Sequence, residues 1–114
     1  MELGRAGEDA AARHYEASGY EVIARNWRCR VGEIDLILRR GGVLVFCEVK
    51  TRRGSGFGAG WEAVTARKCA KVRRVAEAFL LTARQMAGGP IRFDVASVSV
   101  QGSRTEVEVF ADAF

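Results

Sequence analysis

Hydrophobic positions switch between helical and alternating spacing along the chain, and each switch marks an element. Leu3, Gly7, Ala10, Ala11 and His14 share one helical face, which predicts an amphipathic helix from Leu3 to Ser18 with Gly19 as its stop. Glu21 to Trp27 alternates and is rich in strand formers. Two apolar runs follow, Ile34 to Leu38 and Leu44 to Cys47, divided by Arg39-Arg40-Gly41-Gly42-Val43. They predict a hairpin over roughly Val31 to Thr51, since a Gly-Gly pair can take positive φ at both central positions. A long helix is expected from about Trp61 to Met86, stopped by Gly88-Gly89-Pro90. Ile91 to Val100 reads as a strand, Gln101 to Arg104 as a turn, and Thr105 to Phe110 as a last strand. The order is helix, three strands, helix, two strands. That is an α/β chain whose helices can cover a mixed sheet. No repeat or linker divides residues 1–114, so one domain is expected.

The hairpin carries charge where a buried strand should not. Asp35 lies among Ile34, Leu36, Ile37 and Leu38, and Leu44-Val45-Phe46-Cys47 runs directly into Glu48. A carboxylate in such a run costs stability unless it is paired or holds a metal. With Gly41 and Gly42 as the loop, Arg40 faces Val43, Asp35 faces Glu48 and Glu33 faces Lys50. Alternation then puts Glu33, Asp35, Glu48 and Lys50 on one face. Opposed residues have Cβ atoms only ~4.5–5.5 Å apart, where like charges repel. A divalent cation between Asp35 and Glu48 would reverse that sign. A slip of one residue would separate them.

Composition narrows the class without choosing the chemistry. Apolar residues make up 48% and charged residues 28%, as in an ordinary globular protein. No apolar run approaches a membrane span, and no signal-peptide core is present near the start, so a cytoplasmic protein is expected. Cys29, Cys47 and Cys69 form no Cys-x-x-Cys pair, which argues against zinc; Cys47 and Cys69 read as small core residues. The Gly54 to Gly60 stretch lacks the Lys-Ser/Thr ending of a phosphate-binding loop. The net charge is only +4, yet Arg67, Lys68, Lys71, Arg73 and Arg74 crowd one acid-free segment. Arg25, Arg28, Arg30, Arg39, Arg40, Arg52 and Arg53 surround the hairpin. Carboxylates suited to metal, flanked by cations suited to phosphate, point to an anionic polymer.

Each candidate has a plainer reading. Asp35 and Glu48 can pair with arginines, and Lys50 with Glu33. Glu8, at the edge of the first helix's apolar face, can be a solvated glutamate or a third carboxylate. Lys68 sits mid-stripe between Val64, Val72, Val75 and Phe79; it either snorkels to solvent or reaches the carboxylates. Arg92 and Asp94 read first as an ion pair, and His14 as a packed core residue. Phe57 and Trp61 read as packing, with base stacking as the alternative.

Asp35, Glu48, Val49 and Lys50 resemble the PD-(D/E)xK nuclease signature. The likeness is wider: Gly4, Gly7-Glu8, Ala11, Tyr15, Gly19-Tyr20, Asn26, Gly32 to Ile37, Phe46, Glu48-Val49-Lys50, Arg52, Lys68 and Arg92-Phe93-Asp94 resemble the bacterial YraN-type family. Cys47 stands where that pattern leads one to expect valine. The family looks like a distant relative of archaeal Holliday junction resolvases. The resemblance implies a restriction-endonuclease-like αβββαβ core, its mixed central sheet flanked by helices. It implies that Glu8 joins Asp35 and Glu48 in a Mg²⁺ site, with Lys50 as the catalytic lysine. The carbonyl of Val49 is a further candidate ligand, and Mn²⁺ a candidate substitute ion. The expected activity is a Mg-dependent endonuclease on DNA, branched DNA included. Arg52, Arg53, Arg67, Lys68, Lys71 and Arg74 would grip the backbone, so that shape rather than sequence is recognised. Such resolvases work as dimers, which makes a homodimer an expectation. The competing readings are a nucleic-acid-binding module without turnover and an acid-base enzyme on a phosphorylated metabolite.

Overall fold

In the computed structural model, which describes residues 3–54 and 66–114, a five-stranded mixed sheet lies between two helices. The elements run α1 (Leu3–Ala17), β1 (Glu21–Arg28), β2 (Glu33–Arg40), β3 (Val43–Arg53), α2 (Ala66–Thr82), β4 (Ile91–Gln101) and β5 (Arg104–Phe110). A single 3-10 turn, Arg84–Met86, follows α2. The expected helix from Trp61 thus divides into α2 and this turn, while Phe57, Trp61 and Val64 lie outside the described residues.

The strands keep their chain order across the sheet, β1-β2-β3-β4-β5. All neighbours are antiparallel except β3 and β4, which run parallel through ten residue pairs from Leu44↔Ile91 to Arg53↔Val100. A parallel pair needs a crossover, and the segment holding α2 supplies it. Both faces of the middle strands are therefore covered, which explains their nearly unbroken apolar runs.

Each face has its own core. On one, Ala10, Ala11, Ala12 and Tyr15 of α1 pack on Leu36, Leu38, Val45, Cys47, Ala96 and Val98. On the other, Val72, Val75, Ala76 and Phe79 of α2 pack on Ile37, Leu44, Phe46 and Phe93. Small residues on α1 let it lie close to the sheet. A Cβ added at Gly7 would overlap the Thr51 side chain of β3. His14 is exposed, contrary to the expected core position, because the apolar face of α1 closes around Ala10, Ala11 and Tyr15 instead.

Arg92 and Asp94 form the expected ion pair at 2.8 Å. Asp94 is fully buried and takes four donors: Tyr15 Oη at 2.8 Å, Arg92 Nε at 2.9 Å, Arg92 Nη2 at 2.8 Å and the Asp112 N–H at 3.0 Å. Arg92 also donates to Tyr20 Oη at 2.9 Å. The network ties α1, β4 and the chain after β5 together. Burial is the main force pushing the Tyr15 phenol up, so it stays neutral and donates. No helix among the described residues is long and apolar enough to cross a membrane.

Two stability outcomes are expected in chemical denaturation. Gly7→Ala destabilises the fold by about 1–3 kcal/mol, despite the better helix propensity of alanine, and Thr51→Ala restores part of the loss. Asp94→Ala costs about 3–5 kcal/mol by stranding the Arg92 guanidinium and the Tyr15 hydroxyl. A neutral result for either would refute the packing or the network.

Candidate active site

The β2–β3 hairpin turns at Gly41 (φ 56°) and Gly42 (φ 84°), both in the left-handed region expected of its loop. Arg40 faces Val43, and the ladder keeps this register back to Leu36↔Cys47. One step further, backbone pairing gives way to a side chain. The Val49 N–H donates to Asp35 Oδ2 at 2.7 Å, and Asp35 hydrogen-bonds Glu48. The two carboxyl groups therefore meet where β2 parts from β3.

They line a cavity of about 560 Å³ together with Glu33, Val49, Lys50, Arg67, Lys68, Lys71 and Val72. Glu48 and Lys50 continue the face of β3 that presents Leu44 and Phe46 to α2. The beginning of α2 brings Arg67, Lys68 and Lys71 over the carboxylates from the other wall. Four basic residues thus line a cavity holding three acidic ones. Glu33 is neutralised by Arg28 at 2.8 Å, which replaces the expected Glu33–Lys50 pair. The ladder ends before Glu33 could face Lys50, and Arg28 lies opposite Glu33 on β1.

Burial, then the hydrogen bond and repulsion from Asp35, push the Glu48 carboxyl up to about 8, against the pull of Lys68 and Lys50. Lys68 moves the other way. Burial and the adjacent Lys50 lower its proton affinity, while both carboxylates oppose the change. Such perturbed groups converging in a cleft make it the candidate functional site.

Glu8 does not line this cavity. It accepts from Asn26 Nδ2 at 2.8 Å, with Arg25 at 3.7 Å. The cavity lies on the α2 side of the sheet, whereas α1 covers the other side. Asn26 takes φ 52° within β1, a backbone conformation asparagine tolerates. Among the described residues, no group of three or more His, Cys, Asp or Glu side chains is arranged to hold a metal. Arg52 and Arg53 end β3 and Arg74 is exposed on α2; none of them lines the cavity. Cys47 is buried, as expected, but Cys69 is only half-buried. Reading the sequence missed Gly32 and the turn after Arg28, which border a second cavity beside the first. The signal available was the glycine next to Glu33, which closes the turn begun at Cys29.

Residues 7–98 match the uncharacterised protein family UPF0102. The chain belongs to this family. A UPF0102 protein of Parafrankia sp. (strain EAN1pec) is 56% identical over 101 residues, covering 84% of this chain and 80% of the relative. One from Ectopseudomonas mendocina (strain ymp) is 43% identical over 113 residues, covering 99% and 94%. One from Rhodococcus opacus (strain B4) is 44% identical over 115 residues, covering 100% and 97%. The UPF0102 match includes both hairpin strings, Glu8, Lys68 and Asp94.

The donors in this UPF0102 cavity fit a small, hard divalent cation. Asp35 and Glu48 supply two carboxylates close enough to repel when both are ionised, and Val49 lines the cavity beside them. Mg²⁺ uses one or two carboxylates and completes its shell with water or phosphate oxygens.

The Glu48 shift has a stability consequence of definite sign. A carboxyl raised from 4.5 to about 8 holds its proton in the fold while the unfolded chain has lost it. Its contribution is fully present below pH ~4.5 and is lost as pH rises through about 8. In chelator, Glu48→Gln is expected to match the wild type near pH 4.5 and to exceed it by about 1–3 kcal/mol near pH 9. Parallel stability–pH curves would exclude the shift.

Proposed function

We propose that this UPF0102 chain is a metal-dependent endonuclease acting on DNA, branched DNA included. The observation that carries the reading is the convergence of Asp35, Glu48, Lys50 and Lys68 in one cavity. The order α1-β1-β2-β3-α2-β4 supports the αβββαβ core of restriction-endonuclease-like proteins, with β5 as an addition. A homodimer belongs to the same reading.

Asp35 and Glu48 would hold the Mg²⁺ ion, with the Val49 carbonyl as a further ligand. When bound, the ion polarises the phosphoryl oxygen and acidifies a bound water. Asp35 is oriented by the Val49 N–H at 2.7 Å, so its position does not depend on a mobile rotamer alone. Lys50 orients the attacking water and offsets charge on the phosphorane-like transition state. Arg67, Lys68 and Lys71 hold phosphate oxygens against the opposite wall. Their contacts carry no base information, so this grip follows backbone shape. Arg52, Arg53 and Arg74, outside the cavity, would extend that grip.

One observation favours a second reading, binding without turnover: Glu8 lies with Asn26 and Arg25 and leaves the cavity with a sparse carboxylate set. Labelled linear, flapped and four-way DNA with Mg²⁺ or Mn²⁺ separates the two. The nuclease reading expects metal-dependent cutting that Asp35→Asn abolishes and Lys50→Ala slows on the order of 10²–10³-fold. Glu8→Gln should have the smallest effect of the three. Binding with no cutting under either metal would leave the second reading.

A further inference from the structure

Beside the carboxylate cavity lies a second one of about 430 Å³, lined by Arg28, Cys29, Gly32, Glu33 and Lys71. The two share Glu33 and Lys71, so they adjoin one another along the beginning of α2. The joined groove leads from the carboxylates to the turn between β1 and β2. We infer that this groove seats the DNA strand on one side of the scissile phosphate, with Lys71 and Arg28 each contacting a backbone phosphate. The inference rests on the nuclease reading of the first cavity and adds the path and direction of the strand.

Three observations carry it. Lys71 stands at the junction, and Gly32 makes room for it. A methyl group on Gly32 would lie 2.8 Å from Lys71 Cε, 3.7 Å from Lys71 Nζ and 3.4 Å from Val75 Cγ2. Gly32 has no positive φ to explain it, unlike Gly41 or Gly42. The end of the Lys71 side chain lies close over Gly32, and a methyl group there would displace it. The third observation is the state of Glu33. A lone carboxylate shared by both cavities would repel a polyanion, but Arg28 neutralises it at 2.8 Å. That pair is well exposed, with 75% and 49% of the two side chains accessible. Exposed pairs are weak, so a phosphate can compete with Glu33 for the Arg28 guanidinium. A phosphate bound there gains two charge-assisted contacts at the cost of one weak pair.

The ion pair gives the test opposite signs at adjacent residues. Binding of a labelled single-stranded DNA oligonucleotide is measured against salt concentration in chelator, where metal-dependent cutting is stopped. Arg28→Gln and Lys71→Gln should each reduce the magnitude of the log K against log salt slope by about 0.7, one phosphate contact per residue. Gly32→Ala should weaken binding through displacement of Lys71 while the thermal transition stays cooperative. Glu33→Gln should tighten binding, because it frees Arg28. Arg104→Gln, at the start of β5 and outside both cavities, should keep the wild-type slope. Wild-type slopes in Arg28→Gln and Lys71→Gln overturn the groove; if the same protein cuts DNA with Mg²⁺, the nuclease reading stands. The expected slopes without any cutting support the groove and remove the nuclease chemistry. No binding by the wild type overturns the groove, and cutting with Mg²⁺ then decides the nuclease reading by itself.

Discussion

With Gly41 and Gly42 both at positive φ, Arg40 is held opposite Val43, and every pair back along the hairpin follows from that contact. This register governs the core and the cavity together. It sends Leu36, Leu38, Val45 and Cys47 to α1, and Ile37, Leu44 and Phe46 to α2. The same alternation, carried past the last backbone pair, sends Asp35 and Glu48 to the α2 side. A slip by one residue would put apolar side chains at the cavity and a carboxylate in the α1 core. The cost of that exchange holds the acidic pair in place. The fold thus stabilises a local arrangement that is itself unfavourable.

A buried carboxylate and a half-buried one show how the surroundings decide between scaffold and chemistry. Asp94 sits in the sheet with four donors, two of them from one guanidinium, and its charge is fully answered. Glu48 faces another carboxylate, and its proton affinity rises. The first arrangement binds elements together. The second is unsatisfied unless a proton or a cation joins it, which is the physical basis for assigning it to function. Both carboxylates lie on the parallel β3–β4 pair, Asp94 closed off from solvent and Glu48 in the wall of the cavity.

Much of the architecture was legible along the chain because local signals agreed with global burial. Glycine pairs, capping glycines and apolar periods mark α1 and the strands to within a few residues, while the long helix expected to Met86 ends at Thr82 and a 3-10 turn follows it. The hairpin half of the site was legible for the same reason: one turn and a period of two suffice to bring Asp35 and Glu48 together. Glu33 and His14 were misplaced for lack of a third dimension. Glu33 found Arg28 on β1, a partner that hairpin counting does not include. His14 shares a helical face with Ala10 and Ala11, but the buried face of α1 runs through Ala11, Ala12 and Tyr15 and leaves it exposed. Glu8 had the same ambiguity, since a helical wheel gives its angle on α1 and not which side of the sheet α1 covers.

The sequence by itself determined the elements, the hairpin register and the charge pattern around it, because these depend on neighbours a few residues apart and on one tight turn. It also carried the family. Tertiary structure alone decided which helix roofs the carboxylates. The parallel β3–β4 pairing requires a crossover, and that crossover lays α2, with Arg67, Lys68 and Lys71, over the end of the hairpin. It leaves α1 and Glu8 on the opposite face. Helix sidedness is a property of the assembled sheet, and no local period along the chain encodes it.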